Sequence, residues 1–419
     1  MRMKREYVYL KPEEMPRSYY NVLSDLPFKL DPPLDPETHE PMRPEKLLAI
    51  FSEILIEQEL SDKRFIPIPE PVLEEYAVYR PTPLIRAGFL EEYLGTRTKI
   101  YYKYEGVSPT GSHKVNTALA QAYYNKISNV KTLITETGAG QWGSALSYAG
   151  KKFGLEVKVF MVKVSYEQKP FRKYLMNLFD GTVNPSPSNL TDFGKQFDDS
   201  HPGTLGIAIS EAIETVLKSQ NAKYSLGSVL NHVLLHQTII GLELKEQLKK
   251  VGLEPDMIVA CHGGGSNFGG TILPFIPDLL NGKNIDLVAV EPQSCPSLTQ
   301  GEYRYDFGDT AGLTPLLKMY TLGKDFVPPA IHAGGLRYHG ASPIISRLHH
   351  EGLVKAVSIS QEEVFNAGKI FAQIEGIIPA PESAHAIAYI MNEAKKNDKD
   401  SIVFTLSGHG FLDLSAYSS

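Results

Sequence analysis

The sequence predicts an α/β fold of doubly wound, three-layer α/β/α domains. From about residue 98 onward, short apolar runs alternate with stretches of helical period, the rhythm of βαβ units with right-handed crossovers. The chain has 419 residues, 42% of them hydrophobic, enough for sizeable cores and too many for wholesale disorder. Its 34 glycines and 29 prolines exceed average usage, and the glycines gather just past apolar runs, where such sheets bind ligands.

Taken in order, residues 1–80 are proline-rich as far as Pro44. They continue with a helical pattern over 45–60 and a polar loop up to Arg80, read as an arm or partial domain packed on the rest, with a disordered extension as the alternative. The first ten residues are charged and lack the apolar core of a secretory signal. Strands are predicted at 98–104, 131–135 and 157–162, with helices at 114–127 and 144–153 between them. Residues 184–206, rich in Pro, Ser, Asn and Asp, read as a surface connection. Strands resume at 256–260, 285–291 and 401–406.

No run approaches the ~18–20 apolar residues of a membrane helix. Cys261 and Cys295 are the only cysteines, so a disulfide framework is excluded and a reducing, cytoplasmic setting is expected. A net charge of −6 argues against nucleic acid or an anionic membrane as partner.

Four loops follow strand ends with unusual chemistry. The first, Glu105-Gly-Val-Ser-Pro-Thr-Gly-Ser-His-Lys114, opens a helix with Ser112 as the expected N-cap. Lys114 then sits in the first turn, where the helix dipole and His113 would lower the amine's pKa toward the neutral nucleophile of a Schiff base. A solvated lysine tolerating a small penalty is the plainer reading of the same residue.

The second loop, Thr135-Glu-Thr-Gly-Ala-Gly-Gln-Trp-Gly143, fits G-x-G-x-x-G through Gly138, Gly140 and Gly143. The acid that a dinucleotide site needs at the end of the next strand is missing, and Glu136 would repel a pyrophosphate. The loop therefore suits a smaller anion held by backbone N–H groups, leaving Glu136 for acid–base work.

In the third, 257–267, Gly263, Gly264 and Gly265 precede Ser266 and Asn267 at a helix start, a cradle for phosphate. No Gly-Lys-Ser/Thr follows, so it is not a nucleoside-triphosphate loop. The fourth, Ser407-Gly-His-Gly410, lacks the nucleophile elbow and suits a neutral partner for a ring nitrogen, though a nucleophile also fits the residues. His232 and His236 lack the intervening glutamate of a zinc-protease helix and read as core, as does Cys261.

Arg80-Pro-Thr-Pro-Leu84, Gly111-Ser-His-Lys-Val-Asn116, Glu136-Thr-Gly-Ala-Gly-Gln141, Gly263-Gly-Gly-Ser-Asn267, Glu375-Gly-Ile-Ile-Pro-Ala380 and Ser407-Gly occur in that order. Together they resemble the tryptophan synthase beta chain family, of the fold type II pyridoxal-phosphate enzymes. The long arm, Trp142 where the commoner form has histidine, and Arg337 where it has aspartate, resemble the second type of beta chain.

The resemblance implies pyridoxal 5′-phosphate bound covalently on Lys114 between two domains, and a monovalent cation on carbonyls the sequence does not identify. The division expected is an arm at 1–80 packed on the second domain, a first α/β domain at 90–235, and a second at 236–419. The phosphate would be held by Gly263, Gly264, Gly265, Ser266 and Asn267, with His113 and Thr204 nearby; Ser407 would meet the pyridine nitrogen and Glu375 would line the cofactor. Thr137, Gly138, Ala139, Gly140 and Gln141 would hold the amino-acid carboxylate. Glu136 would protonate the leaving hydroxyl, and Arg337 would orient a carboxylate or an anionic leaving group. The activity implied is β-replacement of L-serine by indole to give L-tryptophan, in a homodimer with weakened association to an alpha chain. A related dehydratase or cysteine synthase, a beta chain preferring O-phosphoserine, a nicotinamide enzyme and a silent partner of another beta chain stay open at this stage.

Overall fold

The structure, a computed structural model, describes residues 5–418. Fifteen strands occur among them: β1 (Tyr7–Val8), β2 (Ser18–Tyr20), β3 (Phe65–Pro67), β4 (Leu84–Arg86), β5 (Lys99–Tyr104), β6 (Thr132–Thr137), β7 (Glu156–Val162), β8 (Thr182–Ser186), β9 (Ala222–Tyr224), β10 (Met257–Cys261), β11 (Asp286–Pro292), β12 (Glu302–Phe307), β13 (Leu316–Thr321), β14 (Lys355–Ile359) and β15 (Ser401–Leu406).

Two sheets dominate. One has seven strands in the order β1-β4-β5-β15-β10-β11-β14, the other four in the order β8-β7-β6-β9, and two antiparallel pairs, β2-β3 and β12-β13, stand apart. The run β5-β15-β10-β11-β14 is parallel, as is the whole four-stranded sheet. Every residue of β10 and β15 is buried, as expected of central parallel strands with helices on both faces. Helix boundaries follow local chemistry. The helix Gln361–Glu375 starts at a capping box of Ser360 and Glu363 and stops at Gly376 in the left-handed region, φ 71°.

Three expectations are corrected. The pattern over 45–60 is two helices, Pro44–Leu47 and Glu53–Glu59, because the chain leaves the helix between them and the Ile50 carbonyl accepts from the Tyr224 amide at the end of β9. The connection at 184–206 begins inside a sheet, since β8 pairs with β7. The strand predicted at 98–104 pairs with β15 in the seven-stranded sheet, so a unit drawn from residue 90 to 235 crosses two sheets.

The arm also packs more widely than on residues 236–419 alone. β1 extends the large sheet through β4, and the helix Glu53–Glu59 lies against both Lys114–Ile127 and Asn231–Gln237.

Beneath the arm's end lies a buried charge cluster. The Arg80 guanidinium donates to both Glu105 oxygens, at 2.8 and 3.2 Å, to Glu243 at 2.9 Å and to Asn116 Oδ1 at 2.8 Å. Lys103 donates to Glu243 at 2.7 Å and to Gln247 at 2.8 Å. All four charged side chains are fully buried. Burial alone would raise the Glu105 carboxyl, but Arg80, Lys103 and Thr82 hold it down at about 2. Arg80→Met would strip the Glu105 carboxylate of its buried counter-ion and leave Glu243 with Lys103 alone. Denaturant titration should show a loss of about 3–5 kcal/mol, and a loss below about 1 kcal/mol, the worth of a surface pair, would refute this account.

Candidate active site

Three neighbouring parallel strands, β5, β15 and β10, end at one edge of the large sheet, and each opens into a predicted loop. The 105–114 loop follows β5, Ser407 follows β15, and the triple glycine follows β10. At about 4.8 Å between strands, the three loops span roughly 10 Å, the scale of one small cofactor.

Lys114 is the first residue of the helix Lys114–Ile127. The N-cap is His113 rather than the expected Ser112, and it makes no side-chain capping bond. The Lys114 Nζ donates to the Gly227 carbonyl and, at 2.8 Å, to Ser266 Oγ, which also lies 3.1 Å from His113 Nε2. Burial lowers the Lys114 amine to about 8 against the opposing charges of Cys261, Glu136 and Glu382. Burial first, and Lys114 second, lower His113 to about 3, so this histidine is neutral. A neutral His113 cannot repel the amine, and desolvation therefore replaces the charge effect expected from sequence.

The phosphate-type cup is tight. A Cβ on Gly264 would lie 2.3 Å from Ser228 Oγ, and Gly265 takes φ +110°, where side chains are strained. Asn267 Nδ2 donates to Cys261 Sγ at 3.2 Å, and Cys261 Sγ lies 3.6 Å from Ser407 Oγ. Ser407 Oγ is also 2.8 Å from Ser383 Oγ.

The second sheet supplies the other half. Glu136 is on β6, and its Oε2 accepts from the Tyr224 hydroxyl on β9. Burial raises the Glu136 carboxyl to about 7, against the pull of the Tyr224 bond and the Lys114 charge. After β6, Gly140 takes φ +90° and opens the helix Gln141–Phe153. Among the described residues, the N–H groups of Gly138, Ala139 and Gly140 donate to no protein group, as a carboxylate-holding turn requires. Lys114, Glu136, Thr137, Gly138, Ala139 and Gln141 line one cavity, which Phe51, Leu55 and Ile56 of the arm continue as an apolar extension.

Three expected residues have partners within the protein. Glu375 ends its helix with Oε2 on Arg5 at 2.8 Å and Oε1 on the Leu90 amide at 2.9 Å, so both oxygens are spent on arm and scaffold. Thr204 uses its hydroxyl to cap the helix Leu205–Leu217, accepting from the Ile207 amide at 3.1 Å. Arg337 is buried and donates to the Pro328 carbonyl at 3.1 Å, while its neighbours Gly335 and Tyr338 line the cavity.

Four residues went unread in the sequence. Glu382 accepts from Gln141 Nε2 at 3.0 Å and from the Gly335 amide at 2.9 Å, tying the carboxylate-type loop to the 334–336 turn. Tyr224, Gly227 and Ser228 reach the site from a segment with no motif of its own. The Glu382 signal was legible as the first-turn carboxylate after Pro381; the others were not.

The residues present fit pyridoxal phosphate. His113 Nδ1, Ser112 Oγ and Asn267 Oδ1 are buried beside Lys114 and the cup without partners. The lysine is shifted toward its nucleophilic form, and a hydroxyl, not a carboxylate, ends β15.

Comparisons with known proteins agree. Residues 76–408 match the family model "Pyridoxal-phosphate dependent enzyme". The tryptophan synthase beta chain of Fervidobacterium nodosum is 80% identical over 99% of either chain. The tryptophan synthase beta chain 2 of Thermotoga maritima is 72% identical over 99% of this chain and all of its own. In fold, a threonine deaminase from T.th. superposes with TM-score 0.61 at 19% identity, over 82% of this chain and 98% of its own. A fold type II architecture, a lysine-centred cup between two sheets and full-length identity of this order lead to one assignment: the chain belongs to the tryptophan synthase beta chain family of pyridoxal-phosphate dependent enzymes.

Proposed function

We propose that the protein joins indole to the β-carbon of L-serine, forming L-tryptophan with loss of the serine hydroxyl as water. The observation that carries this is the single cavity shared by Lys114, Glu136 and the 137–141 turn, continued by apolar side chains of the arm that suit a flat apolar co-substrate. When bound, pyridoxal phosphate supplies an electrophilic carbon for the amino group and a ring that withdraws electrons from the substrate's Cα.

The chain's residues do the rest. Gly263, Gly264, Gly265, Ser266, Asn267 and neutral His113 would hold the phosphate, and Ser407 would offer its hydroxyl to the ring nitrogen without protonating it. Thr137 to Gln141 receive the serine carboxylate on backbone N–H groups and fix the side chain's direction. Lys114 Nζ would hold the cofactor and serve as the base for the Cα proton. Glu136, raised by burial to about 7 and so able to carry a proton near neutrality, gives it to the departing hydroxyl oxygen and as a carboxylate then orients indole. Glu382 holds Gln141, and with it the turn, against the 334–336 segment.

In our reading the protein divides into an α/β unit around the four-stranded sheet, another around the seven-stranded sheet, and an arm bridging them. It acts in the cytoplasm as a homodimer with loose affinity for an alpha chain; the two buried free thiols, Cys261 and Cys295, accord with a reducing compartment. The test is spectroscopic turnover of purified protein. Serine should change the cofactor band, and indole should discharge it with one tryptophan formed per serine consumed. Serine consumption unaffected by indole, with no tryptophan, would point instead to a dehydratase.

A further inference from the structure

The segment 224–228 touches both reactive groups. Tyr224 donates to Glu136, and the Gly227 carbonyl accepts from Lys114 Nζ. What holds this segment is the side chain of Trp142. Its ring lies so close over Gly227 that a Cβ there would sit 2.5 Å from Cδ2, 2.7 Å from Cγ and 2.8 Å from Cε3. Its Nε1 donates to Thr135 Oγ1 at 2.7 Å, and Thr135 Oγ1 in turn donates to the Ser225 carbonyl. On the other side, Gln121 Nε2 holds the Leu226 carbonyl at 2.8 Å. Trp142 is 5% exposed and lines the same cavity as Lys114 and Glu136.

We propose that Trp142 is a positioning residue: its ring, pressed on Gly227 and tied through Thr135 to Ser225, fixes the carbonyl that orients the Lys114 amine toward the cofactor. This rests on Lys114 being the cofactor lysine. A backbone carbonyl is as steady as the segment carrying it, and this one has glycine at 227 and no regular secondary structure between Tyr224 and Asn231. An indole face supplies the flat support that glycine alone lacks, and it requires that glycine, since any side chain at 227 would enter the ring. An imidazole at position 142 would not cover the same area.

The experiment is capture of added pyridoxal phosphate by the cofactor-free full chain. Nζ adds to the aldehyde carbon, a carbon–nitrogen double bond forms and water leaves. The rate is followed by absorbance in every variant and, in those that keep Trp142, the only tryptophan of the chain, also by its quenching. Borohydride then fixes the product for peptide mapping. Trp142→Ala should slow capture about 10-fold or more, and Trp142→Phe, which keeps a ring over Gly227, should restore most of the rate. Gly227→Ala should slow capture comparably, and combining it with Trp142→Ala should add little, because both act on one carbonyl. Thr135→Val removes the anchor without opening space and should slow capture severalfold even if Trp142→Ala proves too unstable to purify.

Wild-type capture rates in Thr135→Val and in Trp142→Ala (in Thr135→Val alone if Trp142→Ala cannot be purified), or independent multiplying effects at 142 and 227, would overturn the proposal. A pyridoxyl group on another lysine of the wild-type chain would instead overturn the assignment of Lys114, so the two failures are distinguishable.

Discussion

Lys114→Ala is expected to lose covalent cofactor attachment and to cut tryptophan formation by about four orders of magnitude or more, since one nitrogen serves as both covalent anchor and base. The phosphate cup should persist in the variant, because its backbone is set by Gly265 in the left-handed region and by the packing of Gly264 on Ser228. Pyridoxal phosphate should therefore still bind, reversibly, without the absorbance of the lysine adduct. In the wild-type chain the amine's fall to about 8 gives capture a pH dependence. Below pH 8 the nitrogen is protonated and cannot attack; capture should accelerate roughly tenfold per unit up to about pH 8 and then level off. A plateau reached only near pH 10, the range of an ordinary lysine, would contradict the role of burial here.

Glu136→Gln should retain cofactor capture and lose turnover by about 10²–10⁴-fold, the usual worth of a positioned proton donor. The carboxyl, raised to about 7 by burial, is protonated below that pH and ionised above it. Turnover limited by proton donation should thus fall as pH rises through about 7. The Tyr224 hydroxyl favours the ionised form, so Tyr224→Phe should move the falling limb to higher pH, and Glu136→Gln should abolish it. A limb that stays fixed in Tyr224→Phe would remove Glu136 as its source.

The comparison of sequence with structure divides along a physical line. Strand ends and their loops were legible because apolar runs, glycine turns and helix starts are local. Lys114, Glu136 and the cup are thus where their motifs place them. Side-chain partnerships across the fold were not. Glu375 and Glu382 lie seven residues apart on either side of one loop, yet Arg5 and the Leu90 amide donate to the first while Gln141 and the Gly335 amide donate to the second. Both are glutamates in a motif-bearing stretch, and only the helix break at Gly376 and restart at Pro381 decides between them. The partners of Thr204 and Arg337 were equally illegible, one a cap and one a carbonyl, neither of which leaves a local trace. The split of the 45–60 helix depends on the Tyr224 amide, some 170 residues away in sequence.

The distribution of the site between two sheets divides its labour. The lysine loop, the ring-nitrogen serine and the phosphate cup hang from three adjacent strands of one sheet, so hydrogen-bonded ladders fix their mutual spacing. Glu136 and the carboxylate-holding turn hang from the other. On the proposed assignments, a strand defect in one sheet should therefore cost cofactor retention and a defect in the other should cost turnover with the cofactor still held, so the two losses should separate in variants.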